Sequence, residues 1–490
     1  MRDDELRRIL TEANPWWPSA ASGRDPTVWM ASSRVLRDRG RYDLGYRTRI
    51  LDDIATGEPD GSLVVLTGPR RAGKTVAILD VAARLCRSAV VDSRQVLYVP
   101  CDGMAVRDLR RVISLGRALT RSVDLDAPRR RVWLFDEISQ IAGWTSALKT
   151  ARDTTGFGDD TVVATGSRWV TTEDIQGNLL AGRAGTGHGR RIRPLMPMSF
   201  RDYVGVTRPD LPLPPVVHPG RLDDPDTVRA VAPLAFSVDD FDLAWQDYLT
   251  SGGFPRAVAE HQRAGAVSPA YLRDLLAWLR ADVEPDAPTD SVPLLLAGLA
   301  ARMASPMSIV GSARELGYPN RSAFERRILR LINSHAALMC PQRDEYGSRV
   351  AGAQSKVYLT DPVLAWIPPL LSPGLPFPDF PTLSEGVLAT TLARVVDELD
   401  EGRWVAGDTI GYLRTGSGNE VDLSPVRVPD AAGARLTTAI ESKWVDAGWR
   451  VEAKTIEAKF GRGVLATKSL LDTDYPVKAI PAPIVACLLG

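Results

Sequence analysis

Eight residues, "GPRRAGKT" at 68–75, constrain this 490-residue chain more tightly than any other stretch. They fit the spacing G-x-x-x-x-G-K-[ST] and stand between an apolar, β-branched run, "SLVVLTG" (62–68), and a helical one, "TVAILDVAARL" (75–85). Glycines let such a loop curl so that backbone N–H groups point inward at phosphate oxygens, at a helix N-terminus with its partial positive charge. The predicted nucleotide cradle is Gly68, Pro69, Arg70, Arg71, Ala72, Gly73, Lys74, Thr75 and Val76. Lys74 is placed to reach the β- and γ-phosphates and Thr75 to hold Mg²⁺, so ATP and Mg²⁺ are the expected cofactors.

The runs "QVLYVP" (95–100), "RVWLFDEI" (131–138) and "TVVATGS" (161–167) repeat the short buried pattern, separated by helical stretches. Alternation of this kind predicts a parallel sheet covered on both faces. The third run ends in Asp136 and Glu137, about 60 residues after the loop. Asp136 is predicted to hold the magnesium shell, and Glu137 to orient or deprotonate the attacking water. Where "ATGS" closes the next strand, Ser167, with Thr165 second, is the expected γ-phosphate sensor. The basic run "AGRAGTGHGRRIR" (181–193) follows, with Arg183, Arg190, Arg191 and Arg193. Arg183 is the predicted arginine finger, acting across a subunit boundary; the alternative is a solvated basic loop.

Sixty basic residues balance sixty acidic ones. That excludes a chain-wide basic field, so any DNA contact must come from local clusters. The four cysteines form no CxxC pair, against a zinc ribbon or disulfide framework and in keeping with a reducing cytoplasm. Four scattered histidines leave carboxylates and phosphates as the expected metal ligands. No signal peptide and no membrane span are predicted.

Two proline-rich stretches, 208–225 and 367–381, read as ordered loops or linkers. The expected organisation is an N-terminal segment with "NPWW" (1–60), an ATPase core (61–205), a proline-rich linker and helical lid segment (206–265), a middle domain (266–367) and a C-terminal domain (368–490). Trp16 and Trp17 are expected to be packing residues. In order along the chain, "NPWW", "GPRRAGKT", "LYVPCD", "LFDEISQIAGWTSALKTARD", "ATGS", "AGRAG", "PMSFRDYV", "YLTSGGFPRAV" and "KVYLTDPVL" resemble a large prokaryotic family of AAA+ ATPases. In that family the ATPase module is followed by a C-terminal domain of unknown function. The resemblance covers nearly the whole chain. It implies an AAA+ P-loop core, a winged-helix segment and a C-terminal α/β domain similar to restriction-endonuclease-like nucleases, an α/β fold class throughout.

The residues of the last two blocks read the same way. "SPMSIVGSARELGYPNRSAFERRILRLINSHAALM" gives helix, turn, helix and strand, and "RDEYGSRVAGAQ" a hairpin wing. The second helix carries Arg321, Arg326, Arg327 and Arg330, the predicted DNA contacts; the alternative is a lid or protein-docking module. Further on stand Asp422, eighteen residues, Glu441, one residue and Lys443. On a strand Glu441 and Lys443 share a face. Asp422 and Glu441, joined by Glu385 from a preceding helix as the nuclease-like family suggests, would hold Mg²⁺, with Lys443 stabilising developing charge. The pattern is PD-(D/E)xK without its "PD", since Asp422 follows valine. Together these features predict an ATP-hydrolysing protein acting on DNA as a homo-oligomer, in a ring by class analogy. The rival readings are a nucleotide-gated switch controlling an effector nuclease, and a scaffold with a degenerate nuclease fold.

Overall fold

The computed structural model of the chain describes residues 1–88, 90–120, 130–167, 190–284 and 291–490. They form two compact units, Met1–Asp43 with Arg47–Leu195, and Leu44–Tyr46 with Met196–Gly490.

The first unit is built on five parallel strands, β1 (Leu63–Thr67), β2 (Val96–Pro100), β3 (Val132–Asp136), β4 (Thr161–Thr165) and β5 (Ile192–Pro194), in the order β2-β3-β4-β1-β5. Successive side chains on a strand point to opposite faces. Val64, Leu66, Val132, Leu134 and Val163 accordingly pack with Ile78, Ala82 and Leu85 of helix Lys74–Arg87. Trp133 and Phe135 lie on the opposite face, each edge-on to Phe157. Helix Val106–Leu119 comes close to them at Gly116, where a Cβ would lie 2.7 Å from the Trp133 ring. Each fully buried apolar side chain contributes about 1.5–3 kcal/mol, so both covered faces are needed to hold the sheet.

The fifth strand falls in "GRRIR", a run with no apolar signature. It forms because the backbone of β1 offers a ladder: the Val65 N–H donates to Arg191 O at 2.6 Å and the Leu195 N–H to Thr67 O at 2.8 Å. Arg193 is buried and donates to both Asp53 oxygens and to Ile50 O, each at 2.7 Å. This guanidinium is spent inside the unit, which corrects the reading of this part of the run as a solvated loop. Arg183 lies outside the described residues.

At the other edge, no strand among the described residues pairs with the outer side of β2, and "NPWW" covers it. The Asn14 amide donates to Tyr98 O at 2.8 Å while its oxygen accepts the Tyr98 N–H at 2.6 Å. Both indoles, Trp16 and Trp17, donate to Val96 O at 3.0 Å. Side chains thus satisfy backbone groups that a further strand would otherwise pair.

In the second unit three of the quoted motifs meet. The Met198 N–H of "PMSF" donates to Gly253 O at 2.8 Å, and the Gly253 N–H of "SGGF" to Asp361 Oδ2 at 2.8 Å. A Cβ at Gly252 would sit 1.9 Å from Asp361 Oδ1, and one at Gly253 would sit 2.2 Å from Met198 O, so both positions require glycine. Helices Ile309–Glu315 and Arg321–Asn333, separated by a turn with Gly317 at φ 74°, lead into β6 (Ala337–Arg343) and β7 (Ser355–Leu359), which pair antiparallel. Next come β8 (Tyr412–Arg414), β9 (Glu420–Val421), β10 (Leu423–Pro429), β11 (Arg435–Ser442), β12 (Gly463–Thr467) and β13 (Val477–Pro481). They complete two sheets, β7-β6-β8-β9 and β10-β11-β12-β13. Because β6 pairs with β8, one sheet contains strands from both sides of residue 367. Pro368 and Pro369 do not form the loop expected there. They lie in the last turn of helix Pro362–Leu371, where the lost donors disturb only the helix end. No described helix is long and apolar enough to cross a membrane.

Asn14→Ala removes the partners of two main-chain groups on β2. It is expected to destabilise the first unit by about 2–4 kcal/mol in denaturant unfolding, against less than about 1 kcal/mol for Trp17→Phe, which leaves Trp16 on the shared carbonyl.

Candidate nucleotide site and carboxylate cluster

The phosphate loop joins β1 to helix Lys74–Arg87. Gly68 has φ 145° and a Cβ there would lie 2.1 Å from Leu195 O; Gly73, at φ 104°, opens the helix. The Lys74 ammonium donates to Gly68 O and Pro69 O, both at 2.9 Å, so it lies over its own loop.

The strand order brings the rest together. With β4 between β1 and β3, the C-terminal ends of all three converge beside the loop. Asp136 Oδ1 accepts the Thr75 hydroxyl at 3.1 Å and the Thr165 hydroxyl at 2.9 Å. Its Oδ2 accepts the Tyr98 hydroxyl at 2.8 Å. Burial pushes the Asp136 carboxyl up in pKa, and the three hydroxyls oppose that shift without cancelling it. Glu137 follows at φ 54°, a backbone strain of about 1–3 kcal/mol for a non-glycine residue. Its N–H donates to Thr165 Oγ1 at 2.9 Å, and its carboxylate accepts the Ser167 hydroxyl at 2.9 Å. Thr165 and Ser167 therefore divide the pair, one on each acid. Tyr98 is a site residue that pattern reading missed; its signal was a single polar-tipped side chain in the run "QVLYVP". A hydroxyl beside a carboxylate, with an ammonium at hand, is a donor set suited to Mg²⁺ and phosphate.

The C-terminal residues named from sequence also meet. Asp422 opens the hairpin of β10 and β11, Glu441 lies on β11 and Lys443 just beyond it. The Asp422 N–H donates to Glu441 Oε2 at 3.1 Å and the Ser442 N–H to Asp422 Oδ2 at 3.1 Å. Lys443 Nζ lies 2.8 Å from Glu441 Oε1 and 3.8 Å from Asp422 Oδ2. Glu385 joins from helix Phe380–Leu399. A residue absent from the sequence reading sits among them: Lys356 of β7, whose side chain is fully buried. Its Nζ lies 2.8 Å from Asp422 Oδ1, 3.2 Å from Glu385 Oε1 and 3.4 Å from Glu420 Oε2. Tyr358 donates to Glu385 Oε1 at 2.5 Å. Among the described residues no group of three or more His, Cys, Asp or Glu is arranged to hold a metal ion. The Mg²⁺ set expected at Asp422, Glu441 and Glu385 does not fit this arrangement, because Lys356, Lys443, Tyr358 and backbone N–H groups already engage both oxygens of Asp422 and Glu441 and one of Glu385.

Burial, then the neighbouring Asp422 charge, pushes Glu385 up to about 7 and Glu441 up to about 8. For Asp422 burial acts in the same direction, but Lys356 and Lys443 outweigh it and hold the carboxyl below its ordinary value.

The basic helix Arg321–Asn333 is only partly available. Arg327 pairs with Glu284 and lies over the Tyr318 ring, and Arg330 donates to Val283 O at 2.8 Å. Both are turned to helix Pro269–Val283, not outward as the DNA-contact reading had them. Arg321 pairs with Glu325 on its own exposed surface, and Arg326 is exposed with no ion pair among the described residues.

Residues 60–204 match the family model described as "AAA domain". With the strand order and the phosphate loop, that match makes this segment an AAA-type P-loop ATPase module. Among solved structures, a Walker-type ATPase of Pyrococcus abyssi aligns at 14% identity and TM-score 0.38, over 65% of this chain and 93% of that one. The Aeropyrum pernix Orc1 protein, in a complex with DNA, aligns at 15% identity and TM-score 0.29, over 73% and 95%. At these scores neither alignment bears on what this chain acts upon. No curated protein gives a significant match.

From their ordinary value of 4.5 to the raised ones, Glu385 and Glu441 hold protons in the folded unit that the unfolded chain has released. Stability therefore falls as pH rises through this window. Between about pH 5 and about pH 8.5 the melting temperature of the second unit is expected to decline, and Glu441→Gln, which cannot ionise, to flatten the slope in thermal melts of the full chain.

Proposed function

We propose that the first unit binds and hydrolyses ATP and that the second unit uses the cycle to act on DNA. The observation that carries the first part is the convergence of Thr75, Asp136 and Glu137 beside the phosphate loop, with Ser167 aiming the Glu137 carboxylate. Thr75 and Asp136 would hold Mg²⁺, which would supply neutralisation of the charge that builds on the phosphate oxygens. Lys74 exchanges the carbonyls of Gly68 and Pro69 for phosphate oxygens when nucleotide enters. Glu137 takes the proton of the attacking water. A homo-oligomer completes the site, with an arginine such as Arg183 supplied by a neighbour.

What supports DNA as the partner is the exposed pair Arg321 and Arg326 on the second helix of a helix-turn-helix segment, in a unit whose β11 carries the E-x-K pattern. Contacts of this kind are to phosphate and carry little sequence preference. In this reading the C-terminal domain, with its E-x-K spacing, serves to hold nucleic acid.

Lys74→Ala is expected to abolish ATP binding. Glu137→Gln is expected to bind ATP but hydrolyse it about 10²–10⁴-fold more slowly in a phosphate-release assay. Unchanged turnover in Glu137→Gln would remove the ATPase mechanism.

Arg326→Ala is expected to weaken binding of duplex DNA and to lower the slope of log K against log salt by about 1, while Arg327→Ala mainly lowers stability. DNA affinity indifferent to Arg326→Ala would remove the DNA reading. Turnover that DNA does not stimulate would favour a nucleotide-gated switch.

A further inference from the structure

We propose that Lys356 is a built-in counter-cation, standing where an E-x-K site of the nuclease type would hold a divalent metal, and that these carboxylates bind no metal while it is present. Lys356 comes from β7, 66 residues before Asp422, and its side chain is 0% exposed. An ammonium has three N–H donors and no acceptor. Here three carboxylates, Asp422, Glu385 and Glu420, lie within 3.4 Å of it, and the Tyr412 ring lies 5.4 Å from Nζ.

The oxygens it takes are those a metal would need. Mg²⁺ binds oxygens at about 2.0–2.1 Å and keeps part of its water shell. Asp422 Oδ1 and Glu385 Oε1 are hydrogen-bonded to Lys356, and the latter also accepts the Tyr358 hydroxyl. The other Asp422 oxygen accepts the Ser442 N–H, while the Glu441 oxygens face Lys443 and the Asp422 N–H. A dication added to this set would share a desolvated pocket with an ammonium held within hydrogen-bonding distance of the same oxygens. An ordinary buried ion pair joins one acid to one base. Here a single ammonium meets Asp422 of the cleavage pattern, the helical Glu385 that the resemblance adds to it, and Glu420 beside them.

The site therefore joins segments instead of cutting DNA with a metal. Through Lys356, β7 is tied to helix Phe380–Leu399, to β9 and to Asp422 at the head of β10. This holds whether or not the first unit turns over ATP.

The test is Mn²⁺ binding, read as loss of the free-ion signal in electron paramagnetic resonance. It uses the full chain without nucleotide, in an Asp136→Asn background that silences the carboxylate beside the phosphate loop. With Lys356 intact, no Mn²⁺ should bind at a site that Asp422→Asn removes. Lys356→Ala should take up one equivalent and gain at least about 5 °C in melting temperature from millimolar Mn²⁺. A site with Lys356 intact that Asp422→Asn abolishes would overturn the proposal. So would a folded Lys356→Ala that gains no Mn²⁺. If Lys356→Ala does not fold, the titration of the Lys356-intact chain with and without Asp422→Asn still decides.

Discussion

The Asp136 carboxylate organises the first unit. Its two oxygens accept hydroxyls from three elements: Thr75 in the first turn of helix Lys74–Arg87, Thr165 at the end of β4 and Tyr98 within β2. Those three can meet only because β4 is inserted between β1 and β3, so that the loop, the acids and the residues that aim them end on one side of the sheet. The edge-covering "NPWW" enters the same arrangement, since Asn14 fixes the backbone of Tyr98 at both its N–H and its carbonyl. A segment with no chemical group of its own for phosphate thus helps to set the geometry of the Asp136 carboxylate.

The second unit has a different economy of charge. A buried ion pair gains little net stability over well-packed apolar side chains, because desolvation offsets the attraction. Losing one partner, however, leaves an uncompensated charge. Lys356 and Lys443 among Glu385, Glu420, Asp422 and Glu441 form a cluster of that kind, in which burial disfavours ionising both Glu385 and Glu441. Such a cluster specifies which segments pair more than it stabilises them. It sets β7 against Asp422 and helix Phe380–Leu399, although these segments are separated along the chain by the helix Pro362–Leu371 and its prolines.

The phosphate loop, the first four strands and the acid pair were legible because each is a local pattern: a fixed spacing, a run of apolar residues, two acids at a strand end. β5 was not, because a three-residue strand with an arginine and a proline carries no apolar signal, and its pairing depends on β1. Tyr98 and Lys356 were missed for the same reason. Each is a single residue in an apolar strand, and neither spacing nor composition tells which strand end or acid it will meet. The basic helix shows the converse. Its arginines were visible as a group, yet only the neighbouring helix Pro269–Val283 determines that Arg327 and Arg330 turn inward while Arg326 stays exposed.

The sequence alone established that a phosphate-binding loop leads into a helix, that two acids follow at the end of a buried strand, and that Asp422, Glu441 and Lys443 have the spacing of an E-x-K site. Those are properties of short stretches, and the covalent chain carries them intact. The placement of a second lysine among the carboxylates, the tyrosine on Asp136 and the strand between β1 and β3 arose from long-range pairing. Their consequences are electrostatic and act over a few ångströms in a desolvated interior, where one ammonium at 2.8 Å from Asp422 separates a metal-binding acid cluster from a salt-bridged one.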